Sequence, residues 1–436
     1  MTSRSTRVLA VVGASVLAFS FAGLGNAGAG SEEGWTVDTG DCSDPDRVNA
    51  PIEGTIKIGT AMPLSGGAAA AAFEPAARGL EAYINYANEN DLVPGYELEL
   101  TISDDQFDPA LTPGAVNGLI DDGVHIFAGI IGTQNNLAVR DTLNEECIPQ
   151  LNVLAGDPRF GEVADYPWTT GLLTSYEYEF GGYAQHIAES FPDSTIGLFY
   201  VNNEFGNIAI DNFRAAADEA GLEIVAEETV ELGDEAPPQA QVSSLADEAP
   251  DVLVTVPLGA GCVSFLNELA NAKAATGWEP VVYMTNTCAA SALILGAAGP
   301  NADGIYTSAA MGLVDVANPE VAAVEPVASY IAEMEAQGLG DIITTGGAGW
   351  NAGEVTVAVL LDALESPDGL TQASIINAAR NLSFHPTLLR EGMNYTMNGE
   401  EDGFYSQDIQ IGQYDAEAGF YTDIGEVISF ESTPAE

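Results

Sequence analysis

The chain has 436 residues and is strongly acidic, with 65 Asp and Glu against 11 Lys and Arg and a formal net charge of −54. Such a surface repels phosphate, which excludes nucleic acids and anionic membranes as partners. Hydrophobic residues make up 46% of the chain, enough for the core of one large domain or two ordinary ones. The acidic excess fits either simple solubility or adaptation to a salty medium, where ions screen the self-repulsion.

The first thirty residues have the pattern of a signal peptide. Arg4 and Arg7 precede an apolar stretch over residues 8–21, and Ala27 and Ala29 flank a glycine as small residues for cleavage. The apolar stretch is too short for a permanent membrane helix, and no cysteine near the cleavage point offers a lipid anchor. We therefore predict a signal peptide over residues 1–30, cleaved near Ala29, then an acidic leader over residues 31–50. The protein is expected to be exported to the periplasm or the cell exterior without a lipid anchor.

Apolar strands then alternate with amphipathic helices along the first half of the chain. The pattern predicts strands over residues 55–62, 96–103, 124–131 and 148–154, and helices over residues 73–90, 136–146 and 178–190, with one more helix starting at Asp108. Residues 168–171 form an extended stretch without helix or strand neighbours, and we interpret them as a crossover. Alternation of this kind is typical of a parallel sheet covered by helices.

Residues 123–156 form one complete strand–helix–strand unit, and polar loops follow both of its strands. Parallel strands place such loops at one edge of the sheet, where open α/β sheets bind their ligands. Thr133 lies at the start of the helix, where backbone N–H groups can receive an oxyanion. This edge is therefore predicted to form half of a ligand cleft.

The alternation restarts in the second half of the chain. The predicted strands are residues 195–201, 222–229, 251–257, 281–285 and 304–310, and the predicted helices are residues 207–220, 241–248, 263–275, 289–297, 320–337, 353–365 and 370–381. The tail over residues 394–430 alternates between glycine turns and apolar residues, which predicts short strands. Two strand–helix series joined by crossovers predict two α/β lobes with a cleft between them.

No constellation of residues predicts catalysis. His125 lies inside a strand, His186 lies on an amphipathic helix and His385 precedes a proline, and none stands beside an obvious nucleophile. Hydrolase, phosphate-loop, zinc-protease and dinucleotide motifs are missing from the sequence. The acidic residues between positions 104 and 108 fit a strand end and a helix cap better than a metal site. We expect no enzyme activity, cofactor or metal, and the alternative is an extracellular hydrolase on a two-lobed fold.

The four cysteines of an exported chain favour disulfides over metal ligation. Cys42 lies in the leader and Cys147 begins the second strand of the unit over residues 123–156, while Cys262 and Cys288 each follow an apolar strand. Neighbouring parallel strands place such loops side by side. Three connectivities are possible, and we favour Cys42–Cys147 with Cys262–Cys288.

Four segments in this order resemble one family: IKIGTAMPLSG, SDDQFDPALTPGAVNGLIDDGVHIFAG, WTTG and LFYVNNEFG. They are similar to the type I periplasmic ligand-binding proteins, and most of all to the leucine/isoleucine/valine-binding proteins of ABC importers. The resemblance covers residues 56–412. It implies two Rossmann-like lobes joined by three hinge crossovers, with residues 51–171 and 312–387 in the first lobe and residues 172–311 and 388–436 in the second. It also implies closure around a small ligand and delivery to an ABC permease in the membrane, and we expect a monomer. A ligand sensor with a membrane signalling partner is a further alternative.

The resemblance also implies a binding site. In the family the ligand carboxylate is held from the loop matching Thr133 and from the strand end matching residues 154–156, and an aromatic residue of the second lobe matches Phe205, which lacks a tyrosine hydroxyl. Apolar lining is expected from Leu154, Phe205 and Leu258. The full set of candidate ligand-binding residues is Ser65, Thr133, Gln134, Leu154, Ala155, Gly156, Phe205, Leu258 and Asn286.

Asn286 aligns with the acidic residue that holds the α-ammonium in this family. A neutral amide cannot form the charge-assisted bond that an ammonium requires, and burying an unpaired ammonium is costly. Either another carboxylate such as Glu177 or Glu204 replaces it, or the ligand is not an α-amino acid. A purely structural role for Asn286, as a turn residue capping the next helix, is the other interpretation.

Overall fold

The computed structural model describes residues 34–232 and 236–430. The predicted signal peptide, the first residues of the predicted leader and the last six residues of the predicted second lobe lie outside this part of the chain. Over the described residues, no helix combines the length and hydropathy needed to cross a bilayer.

The leader docks on the first lobe. It contains one short helix, α1 (Pro45–Val48), and Cys42 is bonded to Cys147 as predicted. Trp35 and Val37 donate their backbone N–H groups to the side chains of Asn381 and Asn377, at 3.0 and 2.8 Å.

The first lobe is built on a five-stranded parallel sheet in the order β2-β1-β3-β4-β5. Its elements in chain order are β1 (Thr55–Met62), α2 (Ala68–Glu89), β2 (Glu97–Asp104), α3 (Thr112–Asp121), β3 (Ile126–Ala128), α4 (Thr133–Glu145), β4 (Gln150–Val153) and β5 (Thr169–Gly171). The central strand β3 is buried on both faces and is apolar throughout, and β4 is equally buried although it carries Gln150 and Asn152.

The second lobe is built on a seven-stranded sheet in the order β14-β13-β10-β9-β8-β6-β7, with an antiparallel hairpin at one edge. Its elements are α5 (Tyr176–Ser190), β6 (Thr195–Val201), α6 (Glu204–Ala220), β7 (Glu223–Val230), α7 (Gln239–Glu248), β8 (Val252–Val256), α8 (Ala260–Thr276), β9 (Val281–Met284), α9 (Gly296–Ala298) and β10 (Tyr306–Ser308), and the chain later adds the hairpin strands 408–415 and 420–429. Cys262 at the start of α8 is bonded to Cys288 after β9, so both predicted disulfides are present.

Between β10 and the hairpin the chain returns to the first lobe. It forms α10 (Pro319–Ala322), α11 (Glu325–Ala336), α12 (Ile343–Leu364), α13 (Gln372–Arg380), β11 (Ser383–Phe384) and β12 (Tyr395–Thr396), and then β13 (Asp408–Asp415) and β14 (Phe420–Ser429) complete the second sheet. The predicted class, two Rossmann-like α/β lobes joined by three crossovers, is confirmed.

The first crossover follows β5 at Gly171, the second comprises residues 309–318 after β10, and the third comprises residues 388–407 before β13. They lie against one another in pairs. Gly171 in the first pairs with Phe404 in the third, and Leu313 in the second pairs with Leu389. A side chain at Gly171 would place its Cβ 2.3 Å from the Phe404 ring, so only glycine allows this approach. The three connections between the lobes are therefore joined to one another by backbone pairing and are not three separate linkers.

Helices α2 and α12 pack at very short range because small residues line their contact. A Cβ at Gly79 would lie 1.9 Å from the carbonyl oxygen of Gly346, and one at Gly349 would lie 1.7 Å from that of Ala76. This close crossing brings the first turns of both helices to the edge of the sheet where the central cavity opens.

Two predicted helices begin elsewhere: the one over residues 353–365 begins at Ile343, and the one expected from Asp108 begins at Thr112. Three further predicted elements differ in type or number. Residues 168–171 are not an unpaired crossover, because Thr169–Gly171 is a strand paired with β4. The predicted helix over residues 289–297 is a π-helix (Ser291–Leu295) followed by the short α9, and the helix over residues 320–337 divides into α10 and α11.

Candidate functional site

A cavity of about 260 Å³ lies between the two lobes, at the carboxyl ends of strands from both sheets. Its wall is mainly apolar, with aromatic and aliphatic side chains from α2, α12, the strand ends and the second crossover. These apolar residues include Phe73, Phe107, Ile131, Leu154, Leu173, Phe205, Leu258, Ile294, Met311, Leu313, Val314, Val316 and Ile343.

The start of α4 forms the polar part of the first-lobe wall. Gly132 precedes the helix with a φ of 98°, a left-handed conformation that favours glycine, and no side chain caps the helix. The backbone N–H groups of its first turn have no acceptor within the helix and therefore suit an oxygen atom of a ligand. The Thr133 hydroxyl lies beside them, 3.4 Å from the hydroxyl of Tyr176.

A buried network fixes this helix start. The Asn135 side chain donates to Asp105 at 3.0 Å, and the Thr112 hydroxyl donates to the same carboxylate oxygen at 2.9 Å. Burial raises the pKa of Asp105, while these donors oppose the rise. Asp105 therefore supports the cavity wall as part of the framework, in line with the structural role that the sequence predicted for the acidic residues after β2.

Asn286 forms the polar part of the second-lobe wall, in the loop after β9. It is 4% exposed, and it donates its backbone N–H to Glu179 Oε1 at 2.6 Å and its side-chain Nδ2 to Glu179 Oε2 at 3.0 Å. Its own Oδ1 has no hydrogen-bond partner among the described residues. Asn286 therefore lines the cavity and carries a buried acceptor that no donor of the described residues satisfies.

Glu179 lies in α5 behind Asn286 and is fully buried. Burial raises the pKa of Glu179 to about 7, against hydrogen bonds from Asn286, Tyr183, Thr285 and Ser308 that lower it. The Tyr183 hydroxyl lies 3.0 Å from Glu179 Oε1. No basic side chain pairs with this carboxylate in the described structure, so neutral donors alone offset its desolvation.

The two charged side chains of the cavity wall are engaged elsewhere. Asp315 accepts hydrogen bonds from the Ser291 hydroxyl and from the backbone N–H of Tyr421, at 3.0 and 3.1 Å. Arg390 forms an ion pair with Asp423 at 2.9 Å and also donates to the backbone of the second crossover. Both residues therefore tie the second crossover to the second lobe.

The structure brings six of the nine predicted ligand-binding residues to the cavity wall: Thr133, Gln134, Leu154, Phe205, Leu258 and Asn286. Phe205 packs its ring against that of Tyr176, with 5.4 Å between the centroids. These six come from both lobes, as the resemblance implied.

The other three predicted residues do not line the cavity. The Ser65 hydroxyl donates to Asp104 at 2.5 Å, and Ala155 is buried in a separate apolar cluster. Gly156 accepts a hydrogen bond from the backbone N–H of Tyr176 at 2.6 Å, and a Cβ there would lie 2.3 Å from the Thr174 carbonyl oxygen. The chain therefore fills the space next to Gly156 where a ligand was expected.

The two carboxylates suggested as substitutes for an acid at position 286 are also elsewhere. Glu177 is exposed on α5, and Glu204 forms an ion pair with Arg159 at 2.5 Å. Sequence reasoning missed Glu179, which lies two residues after Glu177 on the same helix, because an acidic residue on an amphipathic helix is normally exposed to solvent. The available signal was the pair of tyrosines Tyr176 and Tyr183 on the same buried face.

The histidines take no part in this wall. His125 accepts a hydrogen bond from the backbone N–H of Lys57 at 3.0 Å, and His385 bonds to the Met393 carbonyl at 3.0 Å. His186 bonds to the Tyr283 hydroxyl inside the second lobe. All three therefore have structural partners away from the cavity.

Comparison with known proteins agrees with this architecture. The family model described as periplasmic binding protein matches residues 55–419. Among curated proteins, the Leu/Ile/Val-binding protein homolog 3 of Brucella melitensis is 23% identical over 180 residues, which are 41% of this chain and 48% of the relative. A leucine-, isoleucine-, valine-, threonine- and alanine-binding protein of Pseudomonas aeruginosa is 26% identical over 181 residues, which are again 41% of this chain and 48% of the relative. The matched stretch thus spans about half the length of these curated relatives.

Solved structures show the same fold over almost their whole length. A branched chain amino acid ABC transporter protein from Thermus thermophilus with bound valine has a TM-score of 0.76 at 17% identity, covering 86% of this chain and 97% of its own. A solute binding protein from R. palustris in complex with benzoate has a TM-score of 0.70 at 18% identity, and the match covers 88% of this chain and 100% of that protein. The chain therefore belongs to the periplasmic binding protein family and has its type I fold of two α/β lobes.

Proposed function

We propose that this protein is the extracytoplasmic solute-binding receptor of an ABC importer. As a monomer it closes its two lobes on one small organic ligand and delivers that ligand to a membrane permease. The observation that carries this proposal is the cavity of about 260 Å³ whose wall comes from strand ends of both lobes. Family membership supports it, as do fold neighbours described as ABC transporter proteins in complex with valine or benzoate.

The wall supports a ligand with a compact polar end and an apolar body. The start of α4 and the Thr133 hydroxyl offer donors for a carboxylate or carbonyl oxygen, and Asn286 Oδ1 offers an acceptor from the opposite lobe. The rest of the wall is largely apolar, which suits an aliphatic or aromatic body. An amino acid or a related carboxylate or amide combines these features.

Within this class we propose that a neutral donor is preferred to an α-ammonium. An ammonium brings a full charge and three N–H donors, whereas Asn286 presents one neutral amide oxygen. A hydroxyl or amide brings a donor without the desolvation cost of a charge. Leucine, isoleucine and valine should therefore bind weakly, and an analogue of the same shape without the ammonium should bind more tightly.

Two other functions are distinguishable from an importer receptor. A hydrolase on this fold would consume its ligand, but the histidines are engaged away from the cavity. A ligand sensor would bind identically and would differ only in its membrane partner. Uptake of the ligand by membrane vesicles carrying the cognate permease, with and without this protein, separates the sensor from the importer receptor.

Mass spectrometry of small molecules released from the purified, denatured protein tests the proposal directly. We expect one organic carboxylate or amide at close to one molecule per chain, recovered unchanged after prolonged incubation with the folded protein. Conversion of that molecule into a product would favour the hydrolase. Small-angle scattering should also show compaction between ligand-free and saturated protein, and identical profiles would contradict closure of the lobes.

A further inference from the structure

We infer that Glu179 is a positioning residue that locks the Asn286 amide in one orientation, so that the cavity wall selects ligands bearing a hydrogen-bond donor. The inference rests on the proposed function, because it concerns what the cavity accepts. It adds a residue outside the cavity wall that decides which chemical group the wall presents.

The orientation follows from what each atom can do. An ionised carboxylate only accepts hydrogen bonds, so the Asn286 atom 3.0 Å from Glu179 Oε2 is the Nδ2 amide donor. The Asn286 backbone N–H, an obligatory donor, occupies Glu179 Oε1 at 2.6 Å. The amide cannot rotate by half a turn without placing Oδ1 against a carboxylate oxygen. Asn286 Oδ1 therefore stays on the side away from Glu179.

This oxygen requires a partner that the protein does not supply. Asn286 is 4% exposed, and its Oδ1 has no hydrogen-bond donor within the described residues, although the residue forms part of the cavity wall. A buried acceptor left unpaired is costly, so a ligand that brings an O–H or N–H to this point is favoured over one that brings a second acceptor. The Nδ2 bond to a carboxylate also polarises the amide and strengthens Oδ1 as an acceptor.

Substitution of the carboxylate by an amide is expected to reverse the preference. In Glu179→Gln the Asn286 backbone N–H still requires an acceptor, so the glutamine oxygen takes the place of Oε1 and its amide nitrogen faces the Asn286 side chain. Two amide donors cannot bond to each other, and the Asn286 amide therefore turns over. The wall then presents Nδ2, a donor, and a carbonyl-bearing ligand becomes the better fit.

Protonation of Glu179 should act in the same direction in the wild-type protein. The proton would occupy Oε2, because Oε1 accepts the backbone N–H, and a protonated Oε2 faces Asn286 as a donor. Burial raises the pKa of Glu179 to about 7, so this change falls within an accessible pH range. The titratable groups that interact with Glu179 are Tyr176 and Tyr183 of its own helix, both with raised pKa. From the second sheet, Thr285 just after β9 and Ser308 of β10 contribute neutral hydroxyls, and Tyr283 of β9 packs against the Tyr183 ring.

The test uses three probes that differ only at one carbon: 2-hydroxy-4-methylpentanoate with a donor, 4-methyl-2-oxopentanoate with an acceptor, and leucine with an ammonium. Calorimetry measures their affinities for the wild-type protein, for Glu179→Gln and for Glu177→Gln at about pH 8.5, and for the wild type again at about pH 5.5. Glu177→Gln is the matched control, because it removes the same charge from an exposed position on the same helix.

We expect the wild type at high pH to bind the hydroxy acid at least about ten-fold more tightly than the oxo acid. Glu177→Gln should keep this ratio, and Glu179→Gln should lower it by about ten-fold or invert it. Acid pH should lower the ratio for the wild type, which keeps the inference testable if Glu179→Gln does not fold.

Equal affinities for the hydroxy and oxo acids would overturn the inference while leaving the receptor proposal intact. A ratio unchanged by both Glu179→Gln and acid pH would overturn it in the same way. Absence of binding by all three probes would instead overturn the proposed ligand class, and the inference with it.

Discussion

Thr133 contributes the one side-chain hydroxyl at the start of α4 that lies on the cavity wall. Its Oγ1 is 3.4 Å from the Tyr176 hydroxyl, a long contact that leaves it available to a ligand oxygen. Thr133→Ala should therefore weaken binding of 2-hydroxy-4-methylpentanoate by roughly 1–3 kcal/mol, since a ligand oxygen loses its partner. Thr133→Ser keeps the hydroxyl and should retain most of the affinity in calorimetry. Equal losses in both variants would assign the effect to packing of the threonine methyl group.

Glu179 should also make stability depend on pH. Burial raises the pKa of its carboxyl from 4.5 to about 7, so between these values the unfolded chain has released a proton that the folded protein still holds. The contribution of Glu179 to the free energy of unfolding is therefore greatest below about pH 4.5, falls as pH rises, and is about 3 kcal/mol lower above about pH 7.

Denaturant unfolding at about pH 5 and about pH 8 measures this change. The general relief of negative charge at low pH affects every variant alike, so the difference between wild type and Glu179→Gln isolates the single carboxyl. Glu177→Gln should behave as the wild type does. Parallel pH profiles for all three proteins would show that Glu179 does not carry the shift.

Among single residues, the sequence predicted the cavity-wall residues that directly follow strands. It did not predict the residues whose role depends on tertiary contacts. Thr133, Leu154 and Asn286 stand at strand ends, a position that chain order alone reveals. Ser65 also follows a strand, but its hydroxyl is taken by Asp104. The side chain of Glu179 is turned inward because α5 packs on the second sheet, and only its helical spacing from the buried Tyr176 and Tyr183 distinguishes it in the sequence from the exposed Glu177.

The loops after β8 and β9 form one element of the second-lobe wall, and the Cys262–Cys288 disulfide joins them. Leu258 and Asn286 stand on these two loops, a few residues from the bonded cysteines. Replacing both cysteines with alanine should lower stability by about 3 kcal/mol in the loop-entropy model. It should also weaken ligand binding, because the two sides of the wall lose their fixed spacing.

The Cys42–Cys147 pair provides the matched control for that experiment. It lies before β4, at the opposite end of the strands from the cavity, and closes a longer loop. Its removal should cost about as much stability or more, with little change in affinity. Thermal melts and calorimetry on the two double variants compare the effects, and equal loss of affinity in both would mean that the disulfide near the cavity has no special role in binding.

The type of an element could be predicted wherever the apolar pattern extended over a long segment and fitted only one kind of secondary structure. The predicted strand over residues 55–62 coincides with β1, and that over residues 195–201 coincides with β6. Thr169–Gly171 is too short and too polar to signal a strand, and it becomes one by pairing with β4. The π-helix after Asn286 likewise depends on tertiary packing, because its sequence favours an ordinary helix.

The net charge of −54 belongs to the molecule as a whole. Folding brings these charges together, so mutual repulsion opposes the compact state and dissolved salt reduces it. The melting temperature should therefore rise from about 0.01 M to about 1 M KCl, over which the Debye length falls from about 30 Å to about 3 Å. Sucrose at matched osmolality controls for non-ionic stabilisation. A flat or falling melting temperature would remove salt adaptation as the reason for the acidic composition.

The leader is attached to the first lobe at the end of the strands that lies away from the cavity. It is bonded through Cys42 to Cys147 just before β4, and Leu154 at the other end of the same strand reaches the cavity. A tether attached through the leader thus leaves from the end of the strands opposite the cavity. Captured on a sensor chip by that route, every molecule would face its analyte in the same direction, and both lobes would remain unobstructed for an optical or electrochemical readout.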